Sequence, residues 1–115
     1  MIFMISLVNI TKDLKQALSY INCDVFHYYA KPGQNSPYIV WAETQEGESF
    51  YTDDNKKEQT LEGYIEFFTQ KEFDSICDDI QSVLNNFCDS WELNFVEYLD
   101  DEKLIRFIWH WKIRG

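Results

Sequence analysis

Two histidines, three cysteines and twenty carboxylates are the side chains of this sequence with reactions open to them. His27 and His110 both fall in stretches that read as strands, and Cys23 precedes His27 by four residues. Were those strands neighbours, the three could surround a metal ion. Their spacing matches no zinc pattern and lacks a Cys-x-x-Cys half-site, so the expectation is no metal and two polar rings on a half-wet sheet face. Cys77 and Cys88 stand eleven residues apart. If one helix ran through both, that is about 16 Å, beyond the reach of a disulfide. Cys77 reads as a small apolar residue on the inner side of that helix. Asp78-Asp79 and Asp100-Asp101 could act as acid–base pairs or hold Mg²⁺ only if their carboxylates converged. Neighbours on a helix diverge by about 100°, and neighbours in an open turn have no cleft to shift their pKa values. The sequence has no Gly-rich phosphate loop, no nucleophile elbow and no Ser–His–acid set at recognisable spacing. The expectation is therefore a non-enzyme with no catalytic residue, no cofactor and no small-molecule substrate.

The elements that would position these residues begin at the end of the chain. From Leu104 to Ile113 the residues alternate, with Ile105, Phe107, Trp109, Trp111 and Ile113 on one face and Leu104, Arg106, Ile108, His110 and Lys112 on the other. This is a strand with one face given to a core. Cover for that face comes from two amphipathic stretches. Leu7, Ile10, Leu14, Ala17, Leu18 and Ile21 predict a first helix over Ser6 to Tyr20, ended by Asn22 in the left-handed region. Thr11 is a candidate cap for a shorter form, and Met1 or Met4 the start. Phe73, Ile76, Cys77, Ile80, Val83, Leu84 and Phe87 predict a second helix over Lys71 to Asn86.

Between them lie strands at Val25 to Tyr29, Tyr38 to Glu43 and Gln59 to Thr69, with Ser49 to Tyr51 pairing briefly. Pro32 to Pro37 is a loop, Gln45 to Glu48 a turn, and Asp53 to Glu58 an exposed polar loop. Gly63 in mid-strand points to a bulge or a close backbone approach. Ser90 to Leu99 places Trp91, Leu93 and Phe95 on one face, a pattern broken by Val96 and Glu97, and Asp100-Asp101-Glu102 turns it into the last strand as a hairpin. The order is α-β-β-β-α-β-β. It predicts one α+β domain over residues 1–115, with two helices against a mainly antiparallel, roughly five-stranded sheet.

The formal charge of −10 is unevenly placed. Residues 72–102 hold ten acids and no Lys or Arg, leaving ten acids against ten bases elsewhere. Such a segment repels nucleic acid and suits a basic protein neighbour, or else a solvated face. The N-terminal apolar run is too short to span a bilayer and lacks a basic flank, so no membrane association is expected. The odd cysteine count fits a reducing cytoplasm.

The opening helix with Val25-Phe26-His27-Tyr28-Tyr29, the strand Tyr38-Ile39-Val40-Trp41-Ala42-Glu43, and Asp53-Asp54-Asn55-Lys56-Lys57-Glu58-Gln59 leading to Gly63-Tyr64-Ile65-Glu66-Phe67-Phe68-Thr69 resemble one protein class. Ser90-Trp91-Glu92-Leu93-Asn94 and Trp109-His110-Trp111-Lys112-Ile113 complete the likeness. That class is the small tail-completion proteins of long-tailed bacteriophages and prophages, the tail terminators. The resemblance implies a structural protein that forms a ring, often hexameric, caps the tail tube and supports head–tail joining. Its partners would be further copies of itself and tail-tube or head-connector proteins. Its place would be the host bacterial cytoplasm during assembly and then the virion tail. Contacts are expected on the loops Lys31 to Pro37 and Glu46 to Glu58, with Asp53, Asp54, Lys56, Lys57 and Glu58 as interaction residues. Arg106, His110 and Lys112 on the wet face of the last strand are expected to meet an acidic neighbour. An alternative reading of the acidic surface is an immunity or inhibitor protein that neutralises a basic toxin or nuclease.

Overall fold

The computed structural model describes residues 6–47, 50–52 and 55–114, and for 50–58 the backbone pairing alone. Its elements are α1 (Leu7–Ser19), β1 (Asp24–His27), β2 (Tyr38–Glu46), β3 (Phe50–Thr52), β4 (Asn55–Glu58), β5 (Thr60–Thr69), α2 (Ile76–Phe87), β6 (Ser90–Leu99) and β7 (Leu104–Arg114). Five strands form one sheet in the order β1-β2-β5-β7-β6, in which β1 and β2 run parallel and the other pairs antiparallel. The fold is α+β, with both helices on one face of that sheet.

The alternation in β5 and β7 decides which face the helices cover. Leu61, Ile65 and Phe67 on β5, with Trp109 and Trp111 on β7 and Ile39 and Trp41 on β2, form one buried cluster with Leu14 and Leu18 of α1 and Ile80 and Leu84 of α2. Trp41, Trp109 and Trp111 are at most 1% exposed. At 150–250 Å² each and about 25 cal/mol/Å², each contributes roughly 4–6 kcal/mol before entropy is subtracted. Three side chains of this size let a short chain close a core. The Trp109 indole N–H donates to Gln81 Oε1 at 3.1 Å, which draws a residue from the polar side of α2 down to the sheet. The last strand is fully covered only at its centre, since Ile105, Phe107 and Ile113 stay half-buried.

Several boundaries differ from the sequence reading, each for a local reason. The Ser6 side chain accepts from the Asn9 N–H, so α1 starts there and Thr11 turns its hydroxyl back to the Leu7 and Val8 carbonyls. Asn22 does not take the left-handed conformation. Instead α1 closes with Tyr20 in the right-handed region and a tight bond from Ile21 N–H to Leu18 C=O at 3.1 Å. Tyr28, at φ +76°, ends β1 after His27.

The second helix starts at Ile76 rather than Lys71. Asp74 Oδ1 accepts from the Ile76 N–H at 3.0 Å, and its Oδ2 accepts from the Thr69 hydroxyl at 2.7 Å. That carboxylate fixes the entry to the helix and leaves residues 70–75 as a corner. Phe73, expected on the apolar stripe, is in the corner at φ +57° and 92% exposed.

Strand β2 runs on through Glu46, so Gln45 and Glu46 are paired and the expected turn begins later. The expected loop over Asp53 to Glu58 is in part a strand. Asn55–Glu58 pairs antiparallel with Phe50–Thr52 as a separate two-stranded sheet, while Ser49, Asp53 and Asp54 lie outside the described residues. Gly47 N–H donates to Thr60 C=O at 2.7 Å and closes the base of this hairpin where β2 and β5 leave off. The Cα radius of gyration is 15.7 Å with extents of 53 × 25 × 23 Å. A compact chain of this length would have about 13 Å. The molecule is elongated, and the hairpin forms an arm.

Candidate functional site

His27 and His110 cannot share a ligand. Strands β1 and β7 are separated by β2 and β5, and the rings lie on opposite faces: His27 pairs in register with Trp41 on the helix side, and His110 with Tyr64 on the open side. Among the described residues no three His, Cys, Asp or Glu side chains are grouped to hold a metal ion. Burial and neighbouring aspartates push the Cys23 and Cys77 thiols up to about 11, and burial with Asp89 pushes Cys88 up to about 12. All three therefore stay protonated at neutral pH and are poor nucleophiles.

Polar residues converge at the β1 edge in a way the sequence did not reveal. The His27 ring lies flat between Trp41, at 4.0 Å between centroids, and Tyr28, at 3.8 Å. His27 Nε2 is 2.8 Å from Glu43 Oε2, and the Tyr28 hydroxyl donates to the other oxygen of Glu43. Burial works against the charged form of Glu43, but these two hydrogen bonds outweigh it, and its pKa falls below the ordinary value. Tyr28 moves upward, because its hydrogen bond to Glu43 holds the phenol proton. The cluster locks the end of β1 to β2. Both oxygens of Glu43 are engaged and Trp41 is fully covered, so the arrangement positions the edge.

Arg106, His110 and Lys112 share the open face of β7, as expected, but they are already engaged within the chain. Arg106 Nη2 is 2.7 Å from Glu66 Oε2, and its Nη1 is 2.6 Å from Glu97 Oε1. Its guanidinium lies 6.0 Å from the Phe68 ring centroid. Burial would lower the Arg106 pKa, but the hydrogen bonds it donates to Glu97 and Glu66 override this and raise it. His110 and Lys112 lie 3.2 and 3.7 Å from Glu62 Oε1. The row therefore pairs with the covered carboxylates Glu62 and Glu66 on β5 and with the exposed Glu97 on β6. Lys56, Lys57 and Glu58 are on β4 of the arm, far along the chain from this row, while Asp53 and Asp54 lie outside the described residues.

Strand β6, an edge of the sheet, exposes a run of apolar side chains. Leu93, Phe95, Val96 and Tyr98 are 43–60% exposed. A bulge between Leu93 and Phe95 reverses the alternation. Trp91, Leu93, Val96 and Tyr98 thus stand opposite Trp111, Trp109, Phe107 and Ile105 on the helix side, while Phe95 moves to the open face beside Ile108. The helices stop short of this end of the sheet. A groove of about 540 Å³ remains, with Val96, Ile105 and Phe107 as floor, Phe73 and Cys77 as wall, and Glu72 and Asp78 at its rim. A second groove of about 590 Å³ runs between α1 and α2 over Ala17, Ile21 and Val83, bordered by Asp13 and Asp79. Among the described residues no helix is long and apolar enough to cross a membrane. No protein family matches this chain, and no curated protein matches its sequence.

Proposed function

We propose that this protein is a structural tail-completion protein of the terminator class, assembling as a ring that caps a phage tail tube and supports head–tail joining. The observation that supports this reading best is the β3–β4 arm. It follows the β2–β5 ribbon as its own two-stranded sheet and carries Lys56 and Lys57. An arm reaching an unlike surface on a neighbour makes a heterologous contact, the kind that closes rings. The uneven charge agrees, since the acids of 72–102 fall on the corner before α2, on α2, at the start of β6 and on the β6–β7 hairpin, a segment apart from the lysines of β4. No catalytic role is part of the proposal. Sedimentation at rising concentration, alone and with purified tail tubes, tests it. A ring or a tube-bound oligomer supports it, and a chain that stays monomeric and does not bind tubes overturns it.

The acidic surface also suits an immunity or inhibitor protein, the second reading. Tight one-to-one binding of a basic nuclease by a strict monomer would establish that reading and remove the first.

A further inference from the structure

From the β6 edge and the groove beside it, we infer that the protein has a docking site for an extended, basic segment of another protein, which adds as a strand along β6 and seats one large apolar side chain between Phe73 and Val96. The inference needs one copy of the chain and stands without the ring reading.

Three features converge on this occupant. First, β6 is a ten-residue edge strand whose outer backbone groups have no partner strand among the described residues, and such an edge is a template for strand addition. Second, the groove lies alongside that edge. Its floor residues Val96 and Phe107 are register partners on β6 and β7, so a strand added to β6 would carry every second side chain over the groove. Third, charge selects the partner. Glu72, Asp78, Asp100, Asp101 and Glu102 form no ion pair among the described residues, and Glu92 is exposed on the strand itself. A second copy would set Glu92 and Glu97 against their own kind, which disfavours self-pairing. A basic strand would find Glu92 near one end of β6 and Asp100, Asp101 and Glu102 at the other.

Phe73 supports the same occupant. It is 92% exposed and held at φ +57°, a conformation that a bulky residue adopts only under constraint, and it stands at the wall of the groove. In the free chain its ring covers almost nothing.

The test uses the full chain and two fluorescein-labelled peptides matched to β6 in length. Both alternate lysine with threonine; one has phenylalanine at its centre and the other serine. The phenylalanine peptide should bind at least about tenfold tighter than its twin, since an apolar anchor in a groove dominates such contacts. Binding should weaken several-fold between about 50 and about 300 mM salt. Amide hydrogen exchange should slow along β6 and stay unchanged on β1. Phe73→Asn and Val96→Lys, checked for an unaltered fold by circular dichroism, should each lose the preference for phenylalanine. Equal binding of both peptides, protection elsewhere than on β6, or dimerisation of the chain through β6 in the absence of peptide would overturn the inference.

Discussion

Gly63 and Trp111 are register partners on β5 and β7, and the indole occupies the space a side chain on Gly63 would need. A Cβ there would lie 2.2 Å from Trp111 Cζ2 and 2.3 Å from the Ala42 carbonyl oxygen. One obstacle is a fully buried ring and the other is backbone, so neither can yield cheaply. Gly63→Ala should destabilise the protein by about 3 kcal/mol, the upper range for overpacking, as read from urea unfolding. A loss within about 0.5 kcal/mol would mean the tryptophan can shift.

The Glu43 cluster predicts an acid limit to stability. Its carboxylate is held below the ordinary value by the Tyr28 hydroxyl and His27, against the opposing effect of burial. A lowered folded pKa means stability is fully present above the unfolded value and is lost as pH falls through the folded one. Thermal melts should therefore drop as pH decreases below about 4.3, the unfolded glutamate value. Glu43→Gln should be less stable at pH 7 and show a shallower acid slope. Parallel slopes for the two proteins would remove Glu43 from the account.

Arg106 bridges Glu66 and Glu97, and the Glu66 side chain is only 16% exposed. Arg106→Ala strands a half-buried carboxylate, which should cost about 1–3 kcal/mol at pH 7. Urea melts of the variant and the parent check this, and a loss within about 0.5 kcal/mol would show that Glu66 is solvated without its partner.

At Phe73 a substitution should stabilise. Asparagine tolerates the left-handed region better than phenylalanine, and the exposed ring contributes little packing. Phe73→Asn should gain about 0.5–1 kcal/mol in denaturant melts. A loss would show that the ring packs in solution.

Lys56 and Lys57 provide a test of the arm. Reversing both to Glu leaves the five-stranded sheet untouched, since β4 pairs only with β3 in the sheet topology. The melting temperature should stay within about 2 °C while oligomer formation or tube capping weakens. A cooperative loss of the whole fold would show the hairpin to be part of the core.

The long alternating stretches of β5 and β7 could be read from sequence because each has one face dominated by Leu, Ile, Phe and Trp and an opposite face that mixes Glu, Arg, His and Lys with Tyr64, Phe68, Leu104 and Ile108. That periodicity is the physical cause of their burial, so pattern and structure agree. Phe73 misled because its spacing to Ile76 and Cys77 fits a helix, and only the tie between Asp74 and Thr69 shows that the helix has not yet begun. At β6 the bulge by Asn94 moves Val96 and Tyr98 to the helix side, and one extra residue is invisible to a period-2 count. The stack of His27 on Trp41 depends on a parallel pairing that brings together residues fourteen apart. The polar arm pairs through its backbone, which hydrophobic periodicity does not register.

The Thr69–Asp74 tie has one further consequence. The Thr69 hydroxyl is nearly inaccessible, holds Asp74, and accepts from the Lys71 N–H at 3.0 Å, so the corner from β5 to α2 is pinned at both ends. The backbone at Phe73 is thereby held in place during folding. Fixing a residue's backbone costs about 1–2 kcal/mol, and at this corner that entropy is surrendered in advance. Preorganisation of this kind favours the contact proposed for Phe73, and loosening Thr69, which holds the groove residue Asp74, should weaken binding of the phenylalanine peptide.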